Sequence, residues 1–256
     1  MILFRSCIGF LFFVLLFSCS TDLEKGDSLV SEEENENLDP TNSLSIRELE
    51  FLEEYEYVTF NLAPDSFGAS VNEKWISDVQ LFLDGAISDE YRSKVESTLA
   101  QFNDVLSADI TVQLVETSEE SNIHLIFGEK EAIKEVWPDM FNAIGDVNFK
   151  GYALYNRDED FNIIEGRIWV KNEDIPLFRH ELGHTIGLGH ASDSYCDGNF
   201  ESNQSFMCSF LKDELSVFDE AILQTLYDPK VEVGLPFSQL KPIIEELLLT
   251  DIIKVE

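Results

Sequence analysis

Apolar positions recur along the chain with two different periods, and the switches between them predict an order of elements. Leu49, Phe51, Leu52 and Tyr55 give a moderate helical pattern over residues 46–57. Val79, Leu81 and Leu83 alternate with outward-facing positions as a half-buried strand does, and Asp84 and Gly85 close it. Ser88 is placed to N-cap a long helix, in which Tyr91, Val95, Leu99, Phe102 and Leu106 fall on one stripe. Ile110, Val112 and Leu114 predict a second strand, and Ile123, Leu125 and Phe127 a third. Residues 129–137 predict a short helix ended by Pro138, and residues 151–155 and 167–171 two more strands. Asp174 and Pro176 then mark the start of another helix. Beyond it the pattern loosens, and the turn-rich run from Asp193 to Asn199 reads as a loop. Ser216 and Asp219 have the spacing of a capping box that opens a helix through Tyr227, closed by Asp228 and Pro229. A last helix over residues 238–249 puts Ile243, Ile244, Leu247 and Leu248 on one side.

The first 45 residues do not join this pattern. Arg5 followed by an apolar run over residues 8–17 has the make-up of a targeting segment, too short to span a bilayer comfortably. Leu16, Phe17, Ser18 and Cys19 resemble a bacterial lipobox, which implies a signal peptide over residues 1–18, a lipid anchor on Cys19 and an outer-membrane or cell-surface location. The alternative is an ordinary signal peptide and a secreted protein. Residues 19–45 include a run of glutamates and asparagines that cannot bury enough apolar surface to order itself, and so read as an acidic tether.

With the tether set aside, a chain of 256 residues and 44% hydrophobic content holds one ordinary domain or two small ones. The expected division is a brace over residues 46–74 and a main domain over 75–256, itself split into 75–190 and a C-terminal subdomain, 191–256. A net charge of −33 repels phosphates and argues against nucleic acid as a partner. Cys196 and Cys208 remain once Cys7 and Cys19 are assigned to the leader and anchor; outside the cytoplasm the pair favours a disulfide over free thiols or metal ligands.

Candidate chemistry is concentrated between Phe178 and His190. His180 and His184 are four residues apart, so on a helix they share one face, roughly 6 Å apart at Cβ, and can hold one zinc ion. Glu181 projects beside them and can take a proton from a water activated by the metal. Gly187 and Gly189 allow the chain to leave the helix sharply and return His190 as a third ligand. Three protein ligands leave one position open, which marks a catalytic zinc. Three of the four histidines in the chain lie here; the fourth, His124, reads as a solvent or packing residue.

The run His-Glu-Leu-Gly-His-Thr-Ile-Gly-Leu-Gly-His resembles the signature of the metzincin zinc endopeptidases, whose members carry a methionine turn beneath the metal. Met207, 17 residues past His190, looks like that turn, and residues 215–227 resemble the closing helix of matrixin-like members. The resemblance implies an α/β (α+β) fold: a twisted mixed sheet backed by the Ser88 helix and the zinc helix, with a small helical C-terminal subdomain. It also implies that an extended peptide adds to an edge strand, for which residues 151–155 are the candidate; an uninvolved hairpin is the alternative. The implied activity is zinc-dependent cleavage of extracytoplasmic peptides or proteins by a monomer, with Glu181 as general base. A tyrosine two residues past the turn methionine, which assists in some metzincins, is absent, since Ser209 stands there; Tyr195 is a candidate substitute. The competing expectation is a non-catalytic surface lipoprotein with a structural or vestigial zinc site.

Overall fold

Alternation of apolar residues on both faces of short strands requires cover on both sides, and the fold supplies it. The computed structural model describes residues 43–255 apart from 65, 67, 108–109, 197–203 and 210–211. The targeting segment, Cys19 and most of the acidic tether lie outside the described residues. Five strands, β1 Val79–Asp84, β2 Val112–Val115, β3 Ile123–Phe127, β4 Gly151–Arg157 and β5 Ile163–Val170, form one sheet in the order β2-β1-β3-β5-β4. β1, β2, β3 and β5 run parallel, and β4 pairs antiparallel with β5. This mixed α/β sheet is the expected fold class, with residues 151–155 inside the edge strand.

Helices α2 (Asp89–Val105) and α4 (Ile175–Thr185) cover one face. There Leu81, Ile123, Leu125, Ile168, Phe102 and Phe178 pack into the main core. Ile126 and Trp169, on the opposite face of β3 and β5, meet Ile133, Trp137, Met140 and Ile144 in a second, smaller cluster. The short helix expected over residues 129–137 is instead a 3₁₀ turn, Lys130–Ile133, and Pro138 opens α3 (Pro138–Ile144) rather than ending a helix. A proline at the first helical position gives up only an N–H that would have had no partner there.

The N-terminal helix α1 (Ile46–Thr59) begins with a full capping box between Ser45 and Glu48. Its Phe51, Leu52, Tyr55 and Val58 belong to the main core, so the segment expected as a brace shares its packing with the rest. α1 contacts both α6 (Val217–Leu226) and α7 (Phe237–Leu249). Lys74 ties the segment before β1 to the end of α6. Its Nζ is buried beneath the C-terminus of α6, where it donates to the carbonyls of Leu226 (2.9 Å) and Val231. Helix carbonyls at that end have no partner within the helix and carry partial negative charge, which a cation offsets. Burial lowers the Lys74 pKa to about 8, so the carbonyls act against a desolvation penalty.

Candidate metal centre

Asp174 caps α4 by accepting from the Leu177 amide, Pro176 lies in the first turn, and the helix runs to Thr185. Two distant aromatic residues fix its end: Trp75 Nε1 donates to the Thr185 carbonyl at 2.8 Å and the Tyr227 hydroxyl to that of Ile186 at 2.9 Å. Gly187 then takes φ +97°, a conformation that L side chains avoid, and the chain reverses toward His190. A Cβ at Gly187 would also stand 2.5 Å from the Glu73 carbonyl oxygen.

The three histidines converge as the spacing predicts. One nitrogen from each of His180, His184 and His190 lies within 4.8 Å of the others, the one such cluster of potential metal ligands among the described residues. His180 Nδ1 lies 3.0 Å from the Phe206 carbonyl and His184 Nδ1 2.8 Å from that of Leu188. A carbonyl only accepts, so both Nδ1 atoms carry the proton and both Nε2 atoms present lone pairs. Those two Nε2 atoms face each other at 3.2 Å. With no proton left to share, the pair is repulsive unless a cation lies between them. Two nitrogens about 2.0–2.1 Å from a tetrahedral zinc stand roughly 3.3 Å apart, so the spacing fits. Burial lowers the His180 pKa to about 4, holds that of His184 well below the ordinary histidine value, and shifts that of His190 in the same direction, which keeps the rings neutral as metal ligands must be. His190 is the most exposed of the three, and solvent reaches the cluster from its side.

Glu181 is 5% exposed, and burial pushes its carboxyl up to about 8 with no offsetting hydrogen bond or charge. It packs against the start of the edge strand. A Cβ on Gly151 would come 2.5 Å from Glu181 Oε1 and 2.9 Å from Leu177 Cδ1, so only glycine at that place leaves the carboxylate where it is.

Met207 lies directly beneath α4. A Cβ on Gly183 would overlap its Sδ and stand 2.7 Å from the Phe206 ring. Asp219 holds the turn from the other side, accepting from Ser205 Oγ (2.5 Å), the Phe206 amide (3.1 Å), and the Ser216 amide and hydroxyl (both 2.8 Å). Cys196, at the end of the short helix α5 (Asp193–Cys196), is disulfide-bonded to Cys208. That helix occupies part of the stretch expected as a loop; the rest lies outside the described residues. The Tyr195 ring is buried against Phe218, with centroids 4.8 Å apart. His124 lies away from the cluster, 3.2 Å from Asp84 and packed between Phe82 and Trp137.

Gly183→Ala is expected to destabilise the fold by about 1–3 kcal/mol, because α4 and the Met207 turn must separate to admit one methyl group. Thermal unfolding would register this as a loss of several degrees. An unaltered Tm would mean that the turn gives way freely.

An α+β fold carrying a solvent-reachable histidine triad therefore defines the molecule. A family match spans residues 47–246 under the description "Protein of unknown function (DUF2927)", and the chain belongs to that family. An archaemetzincin from Sulfolobus acidocaldarius is 27% identical over 124 residues, covering 43% of this chain and 68% of that protein. This distant similarity is to a protein named for the metzincins, and it agrees with the three-histidine group.

Proposed function

We propose that the protein is a zinc-dependent endopeptidase. The observation that carries this reading is the pair of Nε2 atoms facing each other at 3.2 Å, with a backbone carbonyl against the Nδ1 of each ring and His190 completing the triad. His180, His184 and His190 would hold the ion. Zinc supplies Lewis acidity at such a centre, lowering the pKa of a water toward about 7 and polarising a carbonyl. The charge of a cation held by the triad would draw the raised Glu181 pKa back down and leave the carboxylate ionised, so that Glu181, in its water-poor niche, would take the proton from the attacking water and deliver it to the departing amine. Edge strand β4 begins at Gly151, against Glu181, so a peptide lying along it has its backbone oriented next to the base. Attachment through Cys19 would hold the enzyme at the cell envelope, where proteins and peptides outside the cytoplasm are the substrates.

The purified protein is expected to retain one zinc per chain through dialysis and to cleave members of a mixed peptide library. A zinc chelator is expected to stop cleavage, and added zinc to restore it. A folded protein that retains no zinc would overturn the proposal; one that retains zinc but cleaves nothing would favour the structural-site alternative.

A further inference from the structure

His180 and His184 are fixed twice, by the helix that carries them and by carbonyls behind their Nδ1 atoms. Among the described residues His190 has neither support. It lies outside any helix, and its position depends on the backbone to either side. On one side the Gly189 amide donates to the Val58 carbonyl at the end of α1, 2.7 Å away, and a Cβ on Gly189 would come 2.5 Å from Asn61 Oδ1. On the other, the Ala191 amide donates to the Met207 carbonyl at 3.2 Å. The next residue, Ser192, is gripped at both its polar groups by one carboxylate: its amide donates to Glu54 Oε1 at 2.9 Å and its hydroxyl to Oε2 at 2.5 Å.

We propose that Glu54 of α1 is a positioning residue for the third metal ligand, acting through Ser192 to hold His190 toward the other two imidazoles. The proposal rests on the zinc-centre reading. Glu54 is 4% exposed, beside the core residues Phe51, Tyr55 and Val58 of α1, and burial raises its pKa above the ordinary glutamate value. A carboxylate kept there at a desolvation penalty, with Ser192 as its hydrogen-bond donor, fixes the exit of the chain from His190 in two directions. A single hydrogen bond would leave the segment free to pivot. The grip joins residues 138 apart in sequence, so the N-terminal helix becomes part of the metal centre.

Zinc affinity, measured by competition with a chromophoric chelator, tests this. Loss of a residue that orients a metal ligand lowers affinity about 10–100-fold. Glu54→Ala is expected to lie in that range and to alter the visible spectrum of the cobalt(II)-substituted protein, which reports ligand geometry. Glu54→Gln retains one acceptor oxygen and is expected to lose less, in the same direction; it decides the matter if Glu54→Ala does not fold. Ser192→Ala keeps its amide donor, and its loss should not add fully to that of Glu54→Ala. If the variants lower the Tm of the metal-free protein while zinc affinity and the cobalt spectrum stay as in wild type, Glu54 merely braces α1 and the proposal fails. If the wild-type protein itself takes up no zinc, the zinc-centre reading fails instead.

Discussion

Glu181→Gln is expected to leave the protein folded and loaded with zinc while reducing kcat by about 10²–10⁴-fold, the range a positioned general base contributes. Glutamine has nearly the shape of glutamate, so the close fit against Gly151 and Leu177 is kept. The amide cannot take a proton. Glu181 makes no side-chain hydrogen bond among the described residues, and the neutral amide removes its desolvation penalty, so stability should hold or rise. Zinc content by elemental analysis and turnover of a cleaved library peptide check the two halves separately. Undiminished turnover would remove Glu181 from the role of base. Loss of zinc together with turnover would show that the carboxylate helps to hold the metal, which a purely catalytic role does not require.

The histidine cluster was legible in the sequence because its geometry is local. Two histidines four apart need only a helix, and the third needs only a glycine that tolerates φ +97°; one short run of residues specifies all of this. The strands were legible as alternation, and the Ser88 and Ser216 caps as residue types. Strand order was not, because alternation states which face is buried and not which neighbour is paired. Pro138 misleads because the same ring that breaks a helix interior fits the first turn. Least legible were the supports drawn from far along the chain: Trp75 and Tyr227 under the end of α4, and Glu54 beneath the His190 segment. Each is an ordinary residue whose partner is a backbone group or a serine, and no local spacing marks such a pairing. Gly151 and Gly183 were silent for a related reason. Their importance lies in what a side chain would strike, and that depends on elements brought together only by the fold.

Asp219 shows how one local signal can hide a second role. Its spacing from Ser216 identifies a capping box, and the structure contains that box. The same carboxylate reaches Ser205 and Phe206, while the Phe206 carbonyl receives His180 Nδ1, so the first histidine of the cluster is oriented by a turn that Asp219 anchors. Asp219→Ala is therefore expected to destabilise the protein by about 3–5 kcal/mol, since it leaves several buried donors without an acceptor. The pH dependence separates the carboxylate from its shape. Burial pushes Asp219 from 3.8 up to about 6, against the four donors, so between those values the folded protein binds a proton that the unfolded chain has released. Its contribution to stability must then fall as pH rises from about 4 to 6, by roughly 3 kcal/mol across a shift of about two pKa units. The amide introduced by Asp219→Asn resembles the protonated acid, with its oxygen toward the two backbone amides and its NH₂ toward Ser205, and does not titrate. Denaturant unfolding of the metal-free proteins is expected to show wild type losing stability relative to Asp219→Asn across that interval, the metal being left out because histidine ligation titrates there too. A constant difference between the two would mean that Asp219 is ionised throughout, and that its four donors outweigh its burial.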